Sequence, residues 1–138
     1  MRLWHQDIIE LLPKSQLLAQ WRELNSIFAK EDRHILINYI YDYPKEHLYT
    51  YTQLVVNEMK NRGFTIRTFD KMNRYFEGID ANKKVDEPFD EHHNDEYFEI
   101  CYFNLKEKYL RGQKDFDKSR FHALDGQYKS VQARKDMV

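Results

Sequence analysis

Residues 11–28 read LLPKSQLLAQWRELNSIF, and the fold is decided there. Pro13 suits the first turn of a helix, where its missing N–H would find no partner anyway. Beyond it Leu17, Trp21, Leu24 and Phe28 recur at spacings of four, three and four, a single apolar stripe of a helix over residues 14–28. At about 100° per residue, Gln16, Gln20, Glu23 and Ile27 form one flank of that stripe. Ser15, Leu18, Arg22 and Ser26 form the other. Glu23 is thereby set at the edge of the buried face, half desolvated, while Arg22 points elsewhere. On spacing alone this is a core helix with an ordinary surface Glu and Arg, because a lone carboxylate on a helix says little about chemistry.

The rest of the chain reads as helical, and strand signals are scarce. Asp32 is placed to cap a short helix through Tyr41 that ends before Pro44. Leu48, Thr52, Val55 and Met59 share a face of a second long helix, opened by Thr50 or Thr52 and stopped by Gly63. Residues 68–76 form a shorter helical candidate ended by Gly78, and residues 80–88 read as a loop. Phe98, Cys101, Tyr102, Leu105 and Tyr109 stripe a third long helix over about 95–111, with Gly112 after it. Residues 113–138 are polar and predict a short helix at 119–124, with a tail after about residue 125. The expected fold is all-α, a compact single-domain helical fold over residues 1–138 with three main long helices, short helices and loops.

Composition narrows the function classes. A length of 138 residues suits one domain, and 41% hydrophobic with 33% charged residues fits a soluble globular chain. Ten Tyr and nine Phe imply a core built from rings. No apolar run approaches the roughly 18 residues a membrane span needs, so no membrane partner is expected. Arg2 followed by Trp4, His5 and Asp7 does not resemble a secretory leader. The single cysteine, Cys101, excludes an internal disulfide and suits a reducing cytoplasm, near the nucleoid in a bacterium.

A net charge of −1 argues against a uniformly basic nucleic-acid binder. The charge is segregated, however. Residues 86–99 hold seven acids and no Lys or Arg, whereas residues 100–138 hold nine Lys or Arg against five acids. A basic face remains available, since phosphate contacts depend on local charge. The run EHHNDE at 91–96 sets two imidazoles among carboxylates, but adjacent His residues suit a loose surface site better than a closed tetrahedral one. A solvated, acidic helix start is the simpler reading, and no metal is expected. The tyrosines could stack on unpaired bases, yet their helical spacing reads as core.

LLAQWREL, followed by Phe28, resembles the signature helix of the pyrimidine-dimer DNA glycosylase family, the phage endonuclease V type. Other matches follow in the same order. MRLW resembles the family's opening of an amine followed by Arg, and His34 stands six residues after Phe28, as a histidine does in the family. TQLVVNEMKNRGFTIR resembles the family's second long helix and its closing turn, and EYFEICYFNLKEKYLRGQ resembles the helix near its C-terminus. The resemblance runs from residue 1 to about 115. It implies a monomeric base-excision repair glycosylase with abasic-site lyase activity on double-stranded damaged DNA, pyrimidine dimers among the lesions, working without a cofactor.

By register to Arg2, the resemblance gives the nucleophilic amine to Met1, and it gives the catalytic carboxylate to Glu23 in Arg-Glu-Leu. It gives DNA contacts to Arg2, Arg22, His34 and Lys108. The chemistry suits these groups. An α-amine keeps a neutral fraction near pH 7 and can attack a sugar carbon to form an iminium. A neighbouring carboxylate can steady the cationic intermediate and take the proton of β-elimination. With Arg as second residue, Met1 is expected to be retained. Departures from the family are Gln16 in place of His, Asn25 and Ser26 in place of Pro-Arg, and Asn104 in place of Arg. FDKSRFHALDGQYKS also has no clear counterpart to the family's aromatic tail. The alternative is a non-catalytic helical module, binding nucleic acid or protein, that retains the fold.

Overall fold

The computed structural model describes residues 1–83 and 85–137. Lys84, inside the loop expected at 80–88, lies outside the described residues, as does Val138 at the end of the expected tail. Among the described residues all regular structure is helical: α1 (Lys14–Lys30), α2 (Lys45–Asn61), α3 (Asp70–Tyr75), α4 (Asp95–Leu110) and α5 (Lys118–Asp136). Short 3-10 helices at Gln6–Leu11 and Asn38–Asp42 precede α1 and α2.

α1 starts directly after Pro13, as its sequence predicts, and packs against α2 and α3. Its buried face is rotated relative to the apolar stripe. Leu17, Gln20, Leu24, Ile27 and Phe28 are buried, while Trp21 is only half-buried. A polar side chain, Gln20, therefore sits in the core with none of its surface exposed. α2 opens at Lys45 after Pro44, earlier than Thr50, because Pro at the cap needs no hydrogen bond of its own. It closes on Gly63, whose φ of 79° lets the Phe64 N–H reach back to the Met59 carbonyl.

Asp32 does not cap a helix. Its carboxylate accepts the His34 N–H in a local turn, and the chain reaches the 3-10 helix at Asn38–Asp42 through further turns. The helical candidate at 68–76 is realised as α3, and the Thr68 hydroxyl accepts the Asp70 N–H where it begins.

The largest difference lies at the C-terminus. Where a short helix and a tail were expected, α5 continues to Asp136, opened by Asp117 accepting the Arg120 N–H. Its apolar contacts are few but regular. Leu124 and Val131 are fully buried, and Tyr128 stacks on Tyr102 with ring centroids 4.0 Å apart and planes 3° from parallel. Phe121 stacks on Tyr109 at 4.1 Å and 5°. Two aromatic pairs thus attach a mostly polar helix to α4, which explains why its weak apolar pattern concealed it. Leu124→Ala should lower stability by about 2–5 kcal/mol, read as a reduced urea midpoint. A dispensable tail would leave that midpoint unchanged.

Candidate active site at the chain N-terminus

The first four residues form no helix or strand and pack into the core, with Leu3 fully buried and Trp4 nearly so. They have no strand partner, so side chains satisfy their backbone groups. The Gln20 carboxamide bridges them: its Nε2 donates to the Arg2 carbonyl at 3.1 Å, and its Oε1 accepts the Trp4 N–H at 2.9 Å. The Tyr97 hydroxyl from α4 donates to the Leu3 carbonyl at 2.5 Å, and the Tyr51 hydroxyl from α2 donates to the Trp4 carbonyl at 2.6 Å. Three helices thereby hold one short segment in a single register.

Glu23 lies one turn along α1 from Gln20. Its Oε2 accepts a second Gln20 Nε2 hydrogen bond at 3.0 Å, and the Arg2 backbone N–H also points to this carboxylate. Burial pushes the Glu23 carboxyl up from the usual carboxylate range. The positive charge of the Met1 amine opposes that rise, as do the Arg2 N–H and the Arg22 guanidinium. Among the described residues, amine and carboxylate form no direct ion pair. They are close enough for the amine's charge to act on the carboxylate.

Of the residues singled out from the sequence, the structure gathers Met1, Arg2, Glu23 and Arg22. Arg2 also sits over the Tyr97 ring, with its guanidinium carbon 5.8 Å from the centroid. His34 is exposed in the turn after α1, its Nδ1 accepting the Leu36 N–H. Lys108 is half-buried in the last turn of α4. No hydrogen bond or ion pair among the described residues links His34 or Lys108 to the four gathered residues. Gln20, Tyr51 and Tyr97 were missed from the sequence. The available signal was Gln20 itself, a polar residue on the buried flank three positions before Glu23.

The His pair is not a solvated helix start. His93 is buried, its Nε2 lies 2.6 Å from the Tyr39 hydroxyl and its Nδ1 accepts the Gln6 N–H at 3.3 Å. His92 stays exposed, with its Nδ1 2.7 Å from the Tyr43 hydroxyl. Burial holds His93 down to about 3, and His5, stacked 5.5 Å away, is lowered by burial too. The folded state therefore refuses a proton that the unfolded chain accepts below about pH 6.5. Stability is full above that pH and falls as pH drops toward 3, by about 1.4 kcal/mol per unit for one such histidine. Urea midpoints at pH 7 and pH 5 should show this fall, and His93→Gln should flatten it.

The residues in which the chain departs from the resembling family fold back on their own helices or pair locally. Asn25, Ser26 and Asn104 each donate to the carbonyl four residues earlier, and Gln16 exchanges hydrogen bonds with Gln113. A family model described as pyrimidine dimer DNA glycosylase matches residues 1–72, more than half of the chain. The chain belongs to the pyrimidine dimer DNA glycosylase family. The matched span contains the irregular start, all of α1 and α2, and the opening of α3, and so includes Met1, Arg2, Gln20, Arg22, Glu23 and His34. Lys108 lies beyond it. Neither the curated proteins nor the solved structures provide a significant match. As a member of a DNA glycosylase family, the chain has a DNA substrate class, and among the described residues no helix is long and apolar enough to cross a membrane.

Proposed function

We propose that this chain is a DNA glycosylase with abasic-site lyase activity, with the Met1 amine as nucleophile and Glu23 as its carboxylate partner. The observation that supports this reading is Gln20, which bonds both the Arg2 carbonyl and Glu23, the same carboxylate on which the charge of the amine acts. The neutral amine attacks C1′ of a damaged nucleotide in double-stranded DNA. The bond from C1′ to the base breaks, and the base leaves with its electron pair and takes up a proton. The bound nitrogen loses a proton, the C1′–O4′ bond breaks, O4′ keeps that electron pair and takes up a proton, and an iminium is left at C1′. Glu23 then takes a proton from C2′, the C3′–O bond breaks, and the 3′ phosphate departs. Water finally frees the amine. Arg2, Arg22, His34 and Lys108 hold phosphates in this scheme, Arg22 as a permanently charged fork.

Pyrimidine dimers are the proposed lesion class, and a flipped nucleotide would expose C1′ at a cost of a few kcal/mol. The proposal extends to a monomer acting in the cytoplasm. The test is borohydride trapping on a duplex carrying one abasic site, followed by peptide mass spectrometry. A covalent adduct on the Met1 peptide is expected. No adduct, or adducts scattered over lysines, would assign the chain to the non-catalytic binding reading.

A further inference from the structure

The carboxamide of Gln20 is saturated. Two donors, the Trp4 N–H and the Tyr51 hydroxyl, meet its oxygen at 2.9 Å each. The Tyr51 hydroxyl divides its one proton between this oxygen and the Trp4 carbonyl. The Gln20 nitrogen meets two acceptors, the Arg2 carbonyl at 3.1 Å and Glu23 Oε2 at 3.0 Å. A carboxamide offers two donors and two lone pairs, and all four are used. Rotating the group by half a turn would set donors against donors and acceptors against acceptors, so its orientation is fixed. No other residue type of this length meets those demands. Glu would bring an acceptor toward both the Arg2 carbonyl and Glu23, and Met would take the hydrogen-bond partner from the Trp4 N–H and the Arg2 carbonyl while the Tyr51 hydroxyl kept only the Trp4 carbonyl.

We infer that Gln20 is the positioning residue of this site, registering the first residue of the chain against Glu23; the inference rests on the amine-and-carboxylate reading above. Gln20 itself neither attacks the sugar nor takes a proton. It acts through Glu23 and through the Arg2 carbonyl, one residue from the amine, and Tyr51 fixes its orientation from behind.

Gln20→Met, Gln20→Glu and Tyr51→Phe decide it, with two readouts. The first is single-turnover cleavage and trapping of an abasic duplex across pH. Gln20→Met should lower the maximal rate about 100-fold, the cost of misplacing a reacting group by an ångström, with the half-saturating DNA concentration nearly unchanged. Gln20→Glu should be active relative to wild type only in a pH window where the introduced carboxyl and Glu23 share one proton. Protonating the introduced side chain restores the donor toward Glu23. Tyr51→Phe should fall between. The second readout is amide hydrogen exchange, which needs no activity. Protection at Trp4 should disappear in Gln20→Met while the amides of α1 and α2 keep theirs.

Unchanged Trp4 protection with a rate within threefold of wild type overturns the inference. Equal loss of protection throughout α1 and α2 also overturns it, since Gln20 would then serve only the core. If wild type itself forms no adduct, the lyase reading fails, and the exchange data alone decide whether Gln20 registers the chain start.

Discussion

Glu23→Gln should fold, bind a duplex with one abasic site, and cleave it about 100- to 10,000-fold more slowly than wild type, the usual span for a lost proton-transfer group. Gln is close in shape to Glu and still accepts the Arg2 N–H and a Gln20 hydrogen bond, so the segment keeps its place. What disappears, in the proposed scheme, is the charge that steadies the iminium and the base that receives the C2′ proton. The stability change has the opposite sign. Burial raises the Glu23 carboxyl above its ordinary value, so its stabilising contribution is complete below the unfolded value and lost as pH rises through the folded one. At pH 7 the ionised side chain therefore weakens the fold, and Glu23→Gln should be at least as stable as wild type. That advantage should vanish in acid, where both side chains are neutral. The raised value also means that cleavage fails at a higher pH on acidification than it would with an exposed glutamate. Single-turnover rates against pH, beside urea midpoints at pH 7 and pH 4, check all three expectations.

One alanine inserted before Met1 should abolish the adduct while leaving the unfolding midpoint unchanged. Leu3 is fully buried, and the backbone groups of Arg2, Leu3 and Trp4 are held by Gln20, Tyr97 and Tyr51. The added residue cannot be absorbed by sliding, because a one-residue slip would pull Leu3 out of the core and break every one of those bonds. It projects outward, and the amine moves by roughly 3.4 Å. A displacement of that size should cost well over 100-fold in rate. Acetylating Met1 should do the same by removing the nucleophile outright. Full trapping by the lengthened chain, with the adduct on the added alanine, would show that the amine needs no fixed register.

The architecture was readable wherever apolar periodicity was strong. Pro13, the Leu17–Phe28 spacing and Gly63 marked two helices correctly, and Gly112 marked the end of the helix at 95–111. The polar C-terminal helix was not readable, because its attachment uses two ring stacks and two aliphatic residues rather than a continuous stripe. The start of α2 was misplaced since threonines were favoured as caps over Pro44. At the site, Glu23 and Arg22 stood out through Arg-Glu-Leu, and periodicity correctly set Glu23 at the edge of the buried face. Gln20 did not stand out. Its four partners come from the chain start, α1 and α2, and no spacing within α1 reveals that a buried carboxamide will be saturated. His93 was misread for the same reason, as its partners lie 54 and 87 positions away in the chain.

The bonds that hold the chain start also have an order in time. Arg2 and Trp4 wait for a partner 16 to 18 positions later, Trp4 waits again for one 47 positions later, and Leu3 waits for Tyr97, 94 positions on. Since a chain is synthesised in the direction of its C-terminus, these residues leave the ribosome before their partners and are among the last to be fastened. Throughout that interval the Met1 amine is free to every enzyme that deformylates, trims or acetylates nascent chains. If the proposed reaction holds, the supply of active molecules is therefore set by what happens to that amine before the segment is fastened.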